Sequence, residues 1–320
     1  MGHIEQAFRQ IVFRPSLAAA VILMLAVGIG ATTAVYSLFY QVLLQPLPVP
    51  EPDRLVELRV PGPQPGGGRA SLAVNAQGAA FAYSTFRDLE ADQGPFTGIA
   101  GHYDFIASLT SGTDTFGGSG LLVSGGYFEV LGVKPALGRL IGPQDEPGLD
   151  ESPVVVLSYD YWQSRLGADP GVIGTTLTVN DRQLTVIGVT PEGFKGAIPG
   201  YQQHVFVPLT MRWQMQPDEP RNGFELSPFN RFVLTLARLR PGVTLERATV
   251  EINALYGGIL AERVMPEVPP EATEAQRQQL LAQRIALLPA ARGQNAPAVT
   301  ASNPLTLLLG ATALVLLTVC

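Results

Sequence analysis

The chain has 320 residues, a formal charge of −6, a mean hydropathy of +0.20 and one cysteine, Cys320. Residues 51–301 hold 19 basic and 26 acidic side chains, with Lys134 and Lys195 the only lysines. Such an acidic middle offers no clustered basic face for phosphates, which excludes nucleic acid as a partner, and a single cysteine excludes an intrachain disulfide.

The first segment, residues 1–14, places Ile4, Ala7, Phe8, Ile11 and Val12 at i, i+3, i+4, i+7 and i+8, with Glu5, Gln6, Arg9 and Gln10 opposite. This spacing predicts an amphipathic juxtamembrane helix lying in the bilayer interface. Residues 17–44 then run without one Asp, Glu, Lys or Arg. As a helix they rise about 42 Å, against a hydrocarbon core of roughly 30 Å. The run is too long for a signal-peptide core, and its best cleavage site is only Thr32-x-Ala34, so residues 15–45 are expected to form an uncleaved transmembrane helix. Ala26, Gly30 and Ala34 fall four apart within it, a ridge of small residues that lets another helix approach closely. Arginines balance across the run, with Arg9 and Arg14 before it and Arg54 and Arg59 after it, so charge does not orient it.

Alternating Pro46, Pro48, Pro50 and Pro52 favour an extended exit. Val56, Leu58 and Val60 alternate with Glu57 and Arg59 as a strand with one buried face. A Pro- and Gly-rich loop follows over 61–68, then a short helix to Asp92 capped by Ser84. Residues 99–109 and 115–123 read as a hairpin around Ser111-Gly112. A short helix over 127–131 ends at Gly132, which suits a left-handed C-terminal cap.

The next block reads as a separate lobe: a buried strand over 154–157, a helix capped by Ser158, and a hairpin of 177–179 with 184–189 turning at Asn180-Asp181. Residues 191–228, rich in Pro, Gly and scattered aromatics, carry no readable element. Phe232, Leu234 and Leu236 alternate with Val233, Thr235 and Ala237 as a strand. Arg240-Pro241-Gly242 turns, and Thr244 caps a helix with Leu245, Ala248, Ile252, Leu255 and Ile259 on one face. A polar stretch, 269–283, precedes a last strand over 284–288. The apolar run 305–320 is shorter than the roughly 20 residues of a span, and is expected to be the truncated start of a second transmembrane helix, 302–320, in a longer protein.

No catalytic, cofactor or metal motif is present. There is no G-x-x-x-x-G-K-[ST] P-loop and no G-x-S-x-G elbow. The glycines of 117–120 and 125–126 read as turns. His3, His102 and His204 are too dispersed for a zinc site and are assigned surface or packing roles. Asp104, Asp145 and Glu146 can sit near a cleft but are expected to be solvated. The chain is therefore read as a protein that moves or binds rather than an enzyme.

Four ordered stretches carry a resemblance: AFRQIVFRPSLAAAVILMLAVGIGATTAVYSLFYQVLLQPLPVPEPDRLVEL at 7–58, VSGGYFEVLGVKPALGR at 123–139, PVVVLSYDYWQSRLGADPGVIGTTLTVNDRQLTVIGVTPEGF at 153–194 and LARLRPGVTLERATVEINAL at 236–255. Together they resemble the MacB/FtsX-like permeases of ABC transporters, and especially the large MacB-like permeases common in acidobacteria. Stretches 61–80 and 195–228 match poorly.

The resemblance implies an α+β extracytoplasmic core domain over 46–301, bracketed by transmembrane helices. A porter-like lobe, 51–124 and 229–301, would hold an inserted smaller α/β lobe at about 125–228. It further implies a bacterial inner-membrane location with a cytoplasmic N-terminus and a periplasmic core. The function implied is that of a permease subunit coupling ATP hydrolysis to periplasmic conformational change and export. MacB itself carries a nucleotide-binding domain ahead of its first span, whereas this sequence begins 14 residues before its own, so the ATPase is expected on a separate ABC subunit. A homo- or heterodimer of permeases is the expected assembly. A membrane-anchored periplasmic binding or scaffold protein without transport activity is the alternative.

Overall fold

A computed structural model of the chain describes residues 15–40, 46–62, 80–112, 114–216, 226–294 and 310. The chain divides into two compact units, residues 1–45 with 296–320, and Pro46–Asn295.

In the first unit, helix α1, Pro15–Phe39, runs 25 residues without an acidic or basic side chain. The Thr32 and Thr33 hydroxyls donate to the carbonyls of Gly28 and Ile29, each at 2.8 Å, so the helix satisfies these two hydroxyls itself. Ile22, Leu23, Val27 and Ile29 are exposed. Among the side chains described, no helical run is long and apolar enough to cross a membrane. The expected amphipathic helix of 1–14, the truncated span of 302–320 apart from Gly310, and most of the 61–80 loop lie outside the described residues.

The second unit is a mixed α+β domain built on one sheet. Its strands are β1 Leu55–Arg59, β2 Ala80–Ala82, β3 Phe96–Ser111, β4 Asp114–Val123, β5 Leu137–Gly138, β6 Val154–Leu157, β7 Thr176–Val179, β8 Arg182–Val189, β9 Val205–Pro208, β10 Arg231–Leu239 and β11 Ala286–Pro289. Their order is β11-β1-β10-β3-β4-β9-β6-β8-β5, with β2 beside β10 and β7 beside β3 and β8. Strands from 55–123 and 231–289 thus form one half and strands from 137–208 the other.

The two halves join through β7, which pairs antiparallel to both β3 and β8, and through β9. Strand β9 pairs parallel to β4, Gly120 opposite Val205, and antiparallel to β6, Val156 opposite Phe206. This strand is the four-residue VFVP, inside the stretch the sequence left unread; its residues are all buried, and so short an apolar run carries no period.

The helices are α2 Tyr83–Ala91, α3 Tyr127–Leu131, α4 Tyr159–Arg165, α5 Arg212–Met215, α6 Leu245–Ile259 and α7 Glu274–Leu281. Ser158 accepts from the Tyr161 N–H, and Thr244 from the Arg247 N–H, as the cap signals predict. Gly132 closes α3 at φ 68°, and Asn180 and Asp181 turn the β7–β8 hairpin at φ 47° and 62°.

Several expectations are corrected. Helix α2 starts one residue before Ser84, at Tyr83 with Ala82 in the cap position and no side-chain cap, because β2 runs directly into it. Strand β1 is buried on both faces from Leu55 to Leu58, not on one; β10, on which α2 and α3 pack, is buried along its whole length. The polar stretch 269–283 contains α7, started by a reciprocal Thr273–Gln276 capping box. Gly117, Gly118 and Gly120 are not turn residues; they lie within β4, and the Phe105 ring occupies the space a side chain at Gly120 would need.

The core also takes in a cation. Arg212 is fully buried, with its guanidinium 3.7 Å from the Phe232 ring centre and 5.1 Å from that of Tyr103, a stack that offsets part of the cost of desolvating the charge.

Candidate functional site: a carboxylate-lined cleft

The sequence of α2 fixes one wall of a cleft. Phe86 and Leu89 are completely buried against the sheet, which turns Arg87 and Glu90 outward one helical turn apart. Gly125 and Gly126, just after β4, form part of the floor, and Val130 and Glu129 of α3 and Pro143 and Glu146 add to the lining, together with residues of 91–99. The cavity is about 430 Å³.

The Pro143–Asp145 turn is held against this floor. A side chain at Gly125 would meet the Pro143 backbone at 2.6 Å, so the two segments approach as only glycine allows. Asp145 accepts from both Arg139 guanidinium nitrogens and from the Gly142 N–H, which fixes the turn that delivers Glu146. The Gly125 N–H then donates to Glu146 Oε2 at 2.8 Å.

Arg87 ties the walls together: its Nη1 lies 2.6 Å from Glu90 Oε2 and 3.5 Å from Glu146 Oε2. Burial pushes Glu90 up to about 7; Arg87 opposes the shift and Glu146 adds to it. Glu146 is also raised, chiefly by burial, against the Gly125 N–H and Arg87. Burial and then the Glu146 charge push the Tyr83 hydroxyl up to about 12. The cleft therefore holds two carboxyls that burial raises, within reach of one guanidinium.

Of the acids singled out from sequence, Glu146 lines the cleft, Asp145 braces it from behind, and Asp104 lies elsewhere on β3. All three are buried rather than solvated, at 3 % for Asp104, 4 % for Asp145 and 3 % for the Glu146 side chain. Tertiary packing, not the acidic composition, decides their exposure.

His102 is fully buried edge-on to Tyr127, and burial lowers it to about 3, so it is a neutral packing residue. His204 accepts the Ser119 N–H on Nδ1 at 3.1 Å and packs on Phe116. His3 lies outside the described residues, and among those described no group of three or more His, Cys, Asp or Glu is placed to hold a metal. Sequence reasoning missed Arg87, Glu90 and Glu129, because an Arg and a Glu three apart on a helix look like any solvated pair. Ala26, Gly30 and Ala34 are exposed on α1, and nothing stands within 4 Å of where a Gly30 side chain would begin.

The family model of the MacB-like periplasmic core domain matches residues 18–255. Among solved structures, the chain is similar to the periplasmic region of MacB from Actinobacillus actinomycetemcomitans, at 15 % identity over 74 % of this chain and 89 % of that one, with a TM-score of 0.47. It is similar to the extracellular domain of the noncanonic ABC-type transporter YknZ from Gram-positive bacteria, at 13 % identity over 63 % and 92 %, with a TM-score of 0.45. A domain described as part of a permease protein from Porphyromonas gingivalis gives 17 % identity over 75 % and 92 %, with a TM-score of 0.47. No curated protein matches the chain.

Proposed function

Because the chain belongs to the MacB-like periplasmic core domain family, we propose that it is part of an ABC-transporter permease that works with an ABC ATPase subunit. The observation that carries this reading is the extent of the family match, which starts inside the uncharged run at residue 18 and continues to 255. Residues 15–45 would cross the inner membrane from a cytoplasmic N-terminus. Residues 46–301 would form the periplasmic core, with a porter-like lobe from 51–124 and 229–301 around an inserted lobe near 125–228, and 302–320 would begin the return span.

In this reading, ATP-driven association of cytoplasmic partners is passed through the spans to the periplasmic domain, which changes shape and drives export. Supporting it, the 25 residues of α1 carry no acidic or basic side chain to hold it at a surface. The small-residue ridge of Ala26, Gly30 and Ala34 would seat a neighbouring span, in the same permease or its dimer partner.

The test is a reporter fusion combined with copurification. Alkaline phosphatase fused after Arg59 is expected to be active, and the full-length protein is expected to bring down an ABC ATPase. An inactive phosphatase with an active cytoplasmic reporter at the same site overturns the orientation. Membrane preparations in which no ATPase accompanies the protein overturn the permease assignment.

A further inference from the structure

The cleft between α2 and the Pro143–Asp145 turn holds more carboxylates than cations. Glu90, Glu129 and Glu146 line it with a single guanidinium, that of Arg87, and Arg87 offers the same nitrogen to both Glu90 and Glu146. Glu146 carries the sharper mismatch. Its side chain is 3 % exposed and its Oε2 is satisfied by Gly125, but its Oε1 has no hydrogen-bond partner among the described residues. A buried carboxylate oxygen in that position gains strongly from an N–H donor that also brings positive charge.

We propose that this cleft binds an organic cation, an ammonium or guanidinium group whose N–H donors serve Glu146 and Glu90, with Glu129 at the exposed rim. A volume of about 430 Å³ admits such a head group with a short carbon chain. Gly125 and Gly126 present backbone rather than side chains to it. A divalent metal fits worse, because among the described residues no three potential ligands converge.

The groups that face the bound cation are Arg87 and Glu90 from α2, Glu129 from α3 and Glu146 from the turn. Tyr83 lies close enough to feel Glu146, and Asp145 lies behind Glu146 with its charge matched by Arg139. Cation binding displaces the proton that Glu90 holds near neutrality, so binding strengthens as the pH rises through about 7. The inference does not depend on transport, since the cleft lies wholly within residues 87–146.

The experiment is calorimetric titration of the full chain in lipid nanodiscs with cadaverine, using tetramethylammonium as a cation without N–H donors. Saturable 1:1 cadaverine binding is expected at pH 8, weaker by about tenfold at pH 6, with proton release seen as a dependence of the heat on the buffer. Glu146→Gln is expected to lose affinity by at least about tenfold, and Glu251→Gln, paired with Arg247 on α6 and outside the cleft lining, to bind as wild type. If circular dichroism shows that Glu146→Gln does not fold, Glu90→Gln decides in its place, with the same loss expected. Absence of saturable cadaverine binding overturns the proposal. So does unchanged affinity in the folded Glu variant, or tetramethylammonium binding as tightly as cadaverine.

Discussion

Arg139 grips Asp145 through two parallel hydrogen bonds, Nη1 to Oδ2 at 2.6 Å and Nη2 to Oδ1 at 2.8 Å. Burial alone would push the Asp145 carboxyl up, but the Arg139 hydrogen bonds, the Gly142 N–H and the Arg139 charge outweigh it and hold it below its ordinary value. A depressed carboxyl contributes stability that is present above its unfolded value near 3.8 and lost as the pH falls through the folded value. Asp145→Asn keeps the shape but replaces a charged acceptor, and is expected to lower stability by about 1–3 kcal/mol at pH 7. Urea unfolding at pH 7 and pH 3 checks it, since the deficit should shrink at the lower pH.

Glu90 has the opposite sign. Its folded value, about 7, lies above the ordinary 4.5, so its contribution to stability is fully present below 4.5 and disappears as the pH rises through 7. The melting temperature is therefore expected to be higher at pH 5 than at pH 8, and Glu90→Gln to flatten that difference. Thermal scans of the two proteins across this range measure it.

Asn180 does more than turn a hairpin. Its Nδ2 donates to the carbonyls of Ile106 and Met215, and its Oδ1 accepts the Ser108 N–H at 2.7 Å, tying the turn to β3 and to the end of α5. Asn180→Gly keeps the left-handed φ but removes these bonds, whereas Asn180→Ala loses both. Expected losses are about 1–2 kcal/mol for Gly and about 1 kcal/mol more for Ala, read from denaturant midpoints.

At Gly120 a methyl group would enter the space of the Phe105 ring within the β3–β4 pair. Gly120→Ala is expected to cost about 1–3 kcal/mol. Gly117→Ala, in the same strand with open space at its Cβ, is expected to cost far less. Parallel denaturation curves for the two variants decide between packing and simple loss of glycine.

For α1, Gly30→Leu is expected to insert normally in the full-length protein but to lose cysteine cross-linking to the neighbouring span and to uncouple ATP hydrolysis from transport. Lipid offers no hydrophobic drive to hold larger surfaces together, so close backbone approach decides association. Leu23→Ala, off the ridge, should change little. Equal cross-linking and transport in wild type and Gly30→Leu would remove the ridge from the mechanism.

Local chemistry was legible along the chain because it depends on neighbours in sequence. Ser158 and Thr244 announced their helices, Gly132 its left-handed stop, and Asn180-Asp181 its tight turn, since a cap or a positive φ is set within about four residues. The uncharged run that contains α1 was equally plain, as was the family resemblance carried by four ordered stretches. The sequence by itself therefore determined many of the elements and several of their caps, but not the uncapped start of α2, strand β9 or helices α5 and α7, and it pointed to the α+β class.

Only the tertiary structure decided which elements meet. Val205–Pro208, too short to show a period, helps join the halves of the sheet because β4 and β6 each leave an edge that it fills. Glu57 reads as a solvent-facing residue of an alternating strand, yet packing on both faces buries it to 4 % and leaves Arg59 to pair with it. Arg87 and Glu146 stand 59 positions apart, and nothing in either neighbourhood marks them as partners. Their meeting depends on the closeness of Gly125 to Pro143 and on the Arg139–Asp145 clamp. A cleft made by distant segments has no local signal, because its electrostatics arise from burial and proximity that exist only once the chain has folded.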